Sequence, residues 1–463
     1  MTNNIENVIN GNYCVGCGAC AFISGNSMKL DKYGEYKPVF ENLTNSNLKN
    51  LDLVCPSLSP NLNENVLAEK FLDSNSFQFD DKLGYHIENF VAHVNEFEIR
   101  KNGTSGGMGT WIGYELMALS LIDGIIHVRE NDRKHPNDAF YKYSISKNLD
   151  VVKSRSKTKY HVMELSEVLN ELKRIEGKFL IIGVPCFIKA IRRIQLIDDD
   201  IKNKIKYTVS LVCGHYKTVN WSISLGWSVG ILPNQIKNIQ YRTKGKNISA
   251  RKYIFKVFSK IRNKIKIKDS SHVVGGKFNQ GALMLPACEF CDDVTGETAD
   301  LSIGDAWLPQ FEYETEGKNL LIFRNKELLD IVKNASKQNR VFLKKINKDD
   351  AIKSQSGGFR QRREGLSFRL KQKEKQHKWV PIKRIKPGQF KVSYIRKLVY
   401  SLRTKSTYNS REYFIKALSL NNFNIYNNKM KPFLNLLRFV EIISNFKSYL
   451  KKFLRKFFGQ IKI

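Results

Sequence analysis

Three cysteines two residues apart, Cys14-Val-Gly-Cys17-Gly-Ala-Cys20, are the residues of this chain best placed to do chemistry. A fourth, Cys55, comes 35 residues later and is followed by Pro56. Such a triplet wraps backbone tightly around one 4Fe–4S cubane, and a distant Cys-Pro completes the set in the bacterial ferredoxin pattern. Gly16 and Gly18 let the loop turn its N–H groups toward the sulfides. Zinc prefers cysteines in pairs. The triplet therefore favours a cluster over zinc, with inert or disulfide-bonded thiols as the remaining readings.

The chain has eight cysteines. The other four are Cys186 in Gly183-Val-Pro-Cys186, Cys213 in Leu211-Val-Cys213-Gly214, and the pair Cys288-Glu-Phe-Cys291. They make a second set of four, permitting another four-thiolate site. Spacing alone does not separate zinc from 4Fe–4S here. Unliganded burial is the alternative for Cys186 and Cys213, which adjoin apolar runs. A further feature is the glycine-rich stretch Asn102-Gly-Thr-Ser-Gly-Gly-Met-Gly109. Backbone N–H groups at a helix entrance favour phosphate, although a plain tight turn is the commoner use of such a stretch. Asp305 and His215 are the candidates for acid–base work; each also has a purely structural reading, and no catalytic residue is assigned.

The elements that must position these residues alternate in type. Ile87 to Val94 reads as a strand, Thr110 to Ser120 as an apolar-periodic helix, and Gly124 to Val128 as the next strand, a βαβ-type unit. Lys178 to Pro185 and Tyr207 to Cys213 read as buried strands, so Cys186 and Cys213 fall at C-terminal strand ends, where α/β sheets collect ligands. Helices are expected at Ser166–Arg174, Cys186–Ile194, Val219–Gly230 and Lys326–Lys337, and a strand at Leu320–Arg324. Met28 to Phe40 reads as a hairpin turning at Gly34. Residues 61–84 read as a polar linker and 240–285 as basic and irregular. The fold class is α/β (mixed α+β). A small ferredoxin-like module (1–60) precedes an α/β core (85–170 and 171–345) and a basic helical tail (366–463).

The net charge is +33. Residues 366–463 carry 24 lysines and arginines against three glutamates, about two thirds of that excess. From Lys431 to Ile463, Phe439, Ile442, Ile443, Phe446, Leu450, Phe453, Leu454 and Phe457 can share one helical face. Lys447, Lys451, Lys452, Arg455 and Lys456 can share another. A basic amphipathic helix suits an anionic membrane surface, and packing against its own domain or a partner suits it equally. No nucleic-acid recognition motif accompanies the charge. The polar N-terminus has no apolar signal core, the longest apolar stretch (109–128) is interrupted by Glu115 and Asp123, and free cysteines suit a reducing cytoplasm. The expected location is cytoplasmic, with peripheral contact at the inner face of the membrane.

Taken in order, these motifs resemble the coenzyme F420 hydrogenase/dehydrogenase beta-subunit family over roughly residues 10–345. Besides the stretches above, the resemblance rests on Ser156-Lys-Thr-Lys-Tyr160, Val212-Cys213 and Asp300-Leu-Ser-Ile-Gly-Asp-Ala-Trp307. It implies an iron–sulfur flavoprotein with two 4Fe–4S clusters and FAD or FMN. Cys14, Cys17, Cys20 and Cys55 would hold one cluster, and Cys186, Cys213, Cys288 and Cys291 the other. Asn102, Thr104, Ser105, Gly106, Gly107, Lys159 and Tyr160 would lie at the flavin. Electrons would come from a donor protein or partner redox subunit and pass to coenzyme F420 or another hydride acceptor. Members of this type are associated with surface-polysaccharide biosynthesis, which adds a sugar or lipid-linked intermediate as a substrate. Two other classes stay open: a non-catalytic electron-transfer subunit, and a zinc-stapled interaction protein anchored by its tail.

Overall fold

The computed structural model of the chain describes residues 4–446, apart from 42–44, 59, 73–76, 134, 137, 245–248, 250, 251, 262, 312 and 313. Its centre is an eight-stranded sheet. In chain order the strands are β1 (Glu88–Val94), β2 (Gly124–Glu130), β3 (Tyr141–Ser146), β4 (Phe179–Gly183), β5 (Ile205–Leu211), β6 (Leu301–Asp305), β7 (Asn319–Phe323) and β8 (Val341–Ile346). Across the sheet they run β8-β1-β7-β6-β5-β4-β2-β3. Strands β2, β4, β5 and β6 are parallel, and the remaining pairings are antiparallel.

The sequence of β4, Phe179-Leu-Ile-Ile-Gly183, is apolar throughout because both sheet faces are covered. Successive side chains point to opposite faces. Phe179 and Ile181 pack with Phe187, Ile188 and Ile191 of helix α2 (Pro185–Ile194). Leu180 packs with Trp111 and Ile112 of α1 (Met108–Ala118) and with Leu328 and Val332 of α3 (Lys326–Lys337). Helix α3 starts where Asn325 accepts the Leu328 N–H, and it buries Leu328, Leu329, Val332 and Ala335 as one stripe.

Three expectations change. Strands β1 and β2 flank helix α1 in sequence but lie in the sheet with four strands between them, so they are not a side-by-side βαβ pair. Residues 61–84 are not a bare linker. They carry the helix Glu64–Phe71, whose Leu67 and Ala68 are buried, and a short strand pair. Residues 240–285 are not irregular. Ile236–Gln240, Ile254–Ser259 and Ile265–Asp269 form an antiparallel sheet, in which Phe255 and Val257 are buried and the intervening lysines disguise the alternation.

The C-terminal segment is helical and largely packed. Helices α4 (Tyr394–Ser419) and α5 (Phe423–Ser444) form a hairpin. Phe414, Met430, Leu434 and Leu437 join the core that covers α2. The outward face of α5 keeps Phe439, Ile442, Ile443 and Phe446 exposed. Leu450, Phe453, Leu454, Phe457 and the lysines and arginine from Lys447 to Lys456 lie outside the described residues. Among the described residues no helix is long and apolar enough to cross a membrane.

Candidate functional site

The first cysteine set is built on one loop and one helix end. Gly16 (φ 69°) and Gly18 (φ 81°) hold left-handed turns between the cysteines of the triplet, and Cys20 opens the helix Ala19–Ser24. Cys55 follows the helix Asn45–Val54. The four thiols line one small pocket with Ile5, Val8, Met28 and Pro38. Each sulfur faces a backbone N–H: Gly16 for Cys14, Ala19 for Cys17, Ala21 for Cys20 and Ser57 for Cys55. Burial pushes every one of these thiols up, Cys55 to about 11. N–H donors favour the thiolate, and a bound metal removes the thiol proton outright. The donor set fits an iron–sulfur cluster.

The second set gathers at the C-terminal edge of the sheet. Cys186 lies in the first turn of α2, Cys213 two residues beyond β5, Cys288 in a short helical turn, and Cys291 at its end. Burial, and then the neighbouring thiols, push Cys186 well up. Cys213 is pushed up to about 12 by burial. The Tyr216 N–H donates to Cys288 Sγ at 3.3 Å, and the Arg362 guanidinium hydrogen-bonds Cys291. Cys186 and Cys291 line one small pocket with Val15 and Pro56, the chain neighbours of Cys14 and Cys55, so the two sets adjoin. Among the described residues, no three His, Cys, Asp or Glu side chains converge to the spacing of a single bound ion.

A cleft of about 1250 Å³, counted out to open solvent, runs along the same sheet edge. Thr104, Ser105, Gly107, Lys159 and Tyr160 line it. Asn102 and Gly106 stand behind this wall. The Asn102 carbonyl accepts the Ser156 hydroxyl at 2.9 Å, and a Cβ on Gly106 would meet Asn319 Oδ1 at 2.7 Å and the Ala92 carbonyl at 2.8 Å. Gly107 (φ 85°) precedes α1, and a Cβ on Gly109 would meet only open space in the cleft. Arg155, Lys157 and Lys159 bring positive charge to the cleft lining, and Ile125, Ile182, Leu211 and Ile303 of the central sheet bring apolar surface. Burial lowers Lys159 to about 8. The shape and donor set fit a flavin: an apolar slot for the ring, and cations with a helix entrance for phosphate.

The cleft meets the second cysteine set. Tyr216, which holds Cys288 through its N–H, is also a cleft residue, and Gly183 and Val184 of the wall lead into Cys186. Asp305 sits on the wall, held by Arg242 at 2.6 Å. His215 lies elsewhere, stacked on Phe278 with ring centroids 3.9 Å apart, and burial keeps it neutral. Sequence reasoning missed His127, Arg155 and Asn319. Arg155 donates to the Ser144 hydroxyl at 2.8 Å, and His127 shares a 2.7 Å bond with Ser146. His127 and Asn319 reach the cleft through strand pairing and Arg155 from the end of the helix Leu149–Ser154, whereas Lys157 and Thr158 lie within the Ser156–Tyr160 motif.

Residues 89–170 match the N-terminal domain, and residues 176–349 the C-terminal domain, described for the beta subunit of coenzyme F420 hydrogenase/dehydrogenase. Together these spans exceed half of the chain. The chain belongs to the coenzyme F420 hydrogenase/dehydrogenase beta-subunit family. This is an oxidoreductase family, and all four cysteines of the second set lie inside its matched span. The cysteines of the first set and helices α4 and α5 lie outside the beta-subunit spans. Among solved structures, a chain titled as the F420-reducing [NiFe] hydrogenase complex from Methanosarcina barkeri is 19% identical, with a TM-score of 0.48; the match covers 64% of this chain and 96% of that one. No curated protein matches.

Proposed function

We propose that this beta-subunit family member is an iron–sulfur flavin oxidoreductase that carries electrons from a donor protein to a small hydride acceptor. The observation that carries the reading is the continuity of three sites: Cys186 and Cys291 share a small pocket with Val15 and Pro56 beside the first set, and Tyr216 links Cys288 to the wall of the cleft. In this reading Cys14, Cys17, Cys20 and Cys55 hold one 4Fe–4S cluster, and Cys186, Cys213, Cys288 and Cys291 hold a second. Thr104, Ser105, Lys157 and Lys159 bind flavin phosphate, with the apolar wall against the ring. A flavin exchanges one or two electrons and so joins cluster chemistry to hydride chemistry.

The test is anaerobic purification followed by iron, acid-labile sulfide and flavin analysis. About eight irons and eight sulfides with one flavin per chain support the reading, as two cubanes require. Zinc without iron or flavin would overturn it.

The acceptor is coenzyme F420 or, in the same reading, a sugar or lipid-linked intermediate of surface-polysaccharide biosynthesis. Anaerobic reoxidation of the reduced protein by one of these compounds identifies it. A protein that binds flavin but is reoxidised only by protein partners would instead be a non-catalytic electron-transfer subunit. The same reading places the protein in the cytoplasm, with the exposed end of α5 touching the inner face of the membrane. Failure to co-sediment with anionic vesicles would remove that part.

A further inference from the structure

A second cavity, of about 1020 Å³ counted out to open solvent, lies against Cys288 and is separate from the cleft. Phe278 divides them: it stacks on His215 of this cavity and lies 4.9 Å, centroid to centroid, from Tyr160 of the cleft. Arg360, Arg362, Arg369, Arg396 and Arg403 line the cavity. The carboxylates facing them are Glu289 and Glu441. Arg369 pairs with Glu289 at 2.9 Å, and Arg396 turns to Glu364 at 3.4 Å.

The positive charge therefore exceeds the negative charge in a half-enclosed space. Several donors there are buried without a hydrogen-bond partner: Arg362 Nε, Arg369 Nη1 and Arg403 Nε. Arg362 is 3% exposed and Arg369 5%. Guanidinium groups crowded together with unmet donors repel one another and lose solvation. A ligand bringing several anionic oxygens reverses both effects, and the guanidinium fork matches phosphate oxygens two at a time.

We propose that this cavity is a binding site for a phosphate-bearing anion. All five arginines come from residues 360–403, beyond the family spans that end at residue 349. Its cations thus come from this chain's C-terminal segment, while Cys288 on the wall and the Arg362–Cys291 hydrogen bond join the cavity to the second cysteine set. Its phosphate can come from a soluble ester or from a lipid headgroup, because the exposed Tyr394, Leu398, Phe439 and Ile442 stand on the same helical hairpin.

The test titrates inorganic pyrophosphate into the full-length, anaerobically purified protein by calorimetry. A parallel arm measures co-sedimentation with phosphatidylcholine vesicles, with and without phosphatidic acid. Saturable pyrophosphate binding, weakened about tenfold or more by Arg403→Gln as loss of a charge-assisted bond requires, supports a soluble source. Phosphatidic-acid-dependent binding that Arg403→Gln abolishes, without pyrophosphate binding, supports a lipid source. Arg360→Gln, on the exposed edge, serves if Arg403→Gln fails to fold. Binding in neither arm, binding indifferent to these variants, or binding lost instead in the cleft variant Lys157→Gln overturns the proposal.

Discussion

Tyr13 and Phe290 meet edge to face with ring centroids 4.8 Å apart, and each is followed directly by a cysteine, Cys14 and Cys291. One aromatic contact thus forms part of the wall between the two cysteine sets. Tyr13 is fixed further by its hydroxyl, which donates to the Trp379 carbonyl at 2.9 Å. Phe290→Ala removes a buried ring and should cost about 3–5 kcal/mol of stability, measured by anaerobic denaturant unfolding. A loss below about 1 kcal/mol would show that the site collapses around the deletion.

Gly109→Leu tests the proposed flavin cleft separately from stability. A Cβ there meets no protein atom within 4 Å, Gly109 lines the cleft, and leucine outranks glycine in a helix by a sizeable part of 1 kcal/mol. Gly109→Leu should leave the melting temperature unchanged or raised while flavin content falls. Full flavin occupancy in the variant would move the flavin elsewhere.

His127 makes part of the acid sensitivity. Burial first, and then Arg155, lower it from its ordinary 6.5 to about 4. The folded protein binds fewer protons at this site than the unfolded chain between these values. Its contribution to stability is therefore present above pH 6.5 and is lost as pH falls to 4, amounting to about 3 kcal/mol. His127→Gln should flatten the wild-type decline of the urea midpoint across that window. Parallel profiles would contradict the assignment.

Arg384 ties the C-terminal segment to the core through buried carboxylates. It lies 3.1 Å from Glu64 and 2.6 Å from Glu297, and Glu64 also pairs with Lys189 at 2.8 Å. Arg384→Met leaves buried negative charge uncompensated, which typically costs about 3–5 kcal/mol. The double variant Arg384→Met/Glu297→Gln should recover part of that loss; an unchanged loss would place the strain in packing instead.

Local pattern made some of this legible. The sequence predicts helix α3 with the bounds it has, Lys326–Lys337, because its cap residue and apolar stripe are encoded within a dozen positions. Cys186 and Cys213 were read at strand ends because β4 and β5 are continuous apolar runs. Sheet order was not legible: which strand lies beside β1 depends on residues 319–346, more than two hundred positions away. The arginine cavity was hidden for the same reason. Its cations are scattered over more than forty residues and converge only when α4 packs on the turn holding Cys288 and Glu289, where Thr404 and Thr407 donate to the Glu289 carboxylate.

That packing has a consequence for how the protein is made. Trp379 and Val380 cover the first cysteine set, while Arg362 and helix α4 cover the second. All of these residues leave the ribosome after every cysteine has emerged. On the proposed cluster assignment, all eight ligands are synthesised before the segments that cover them, so cluster insertion has an interval before Arg362, Trp379 and helix α4 pack into place.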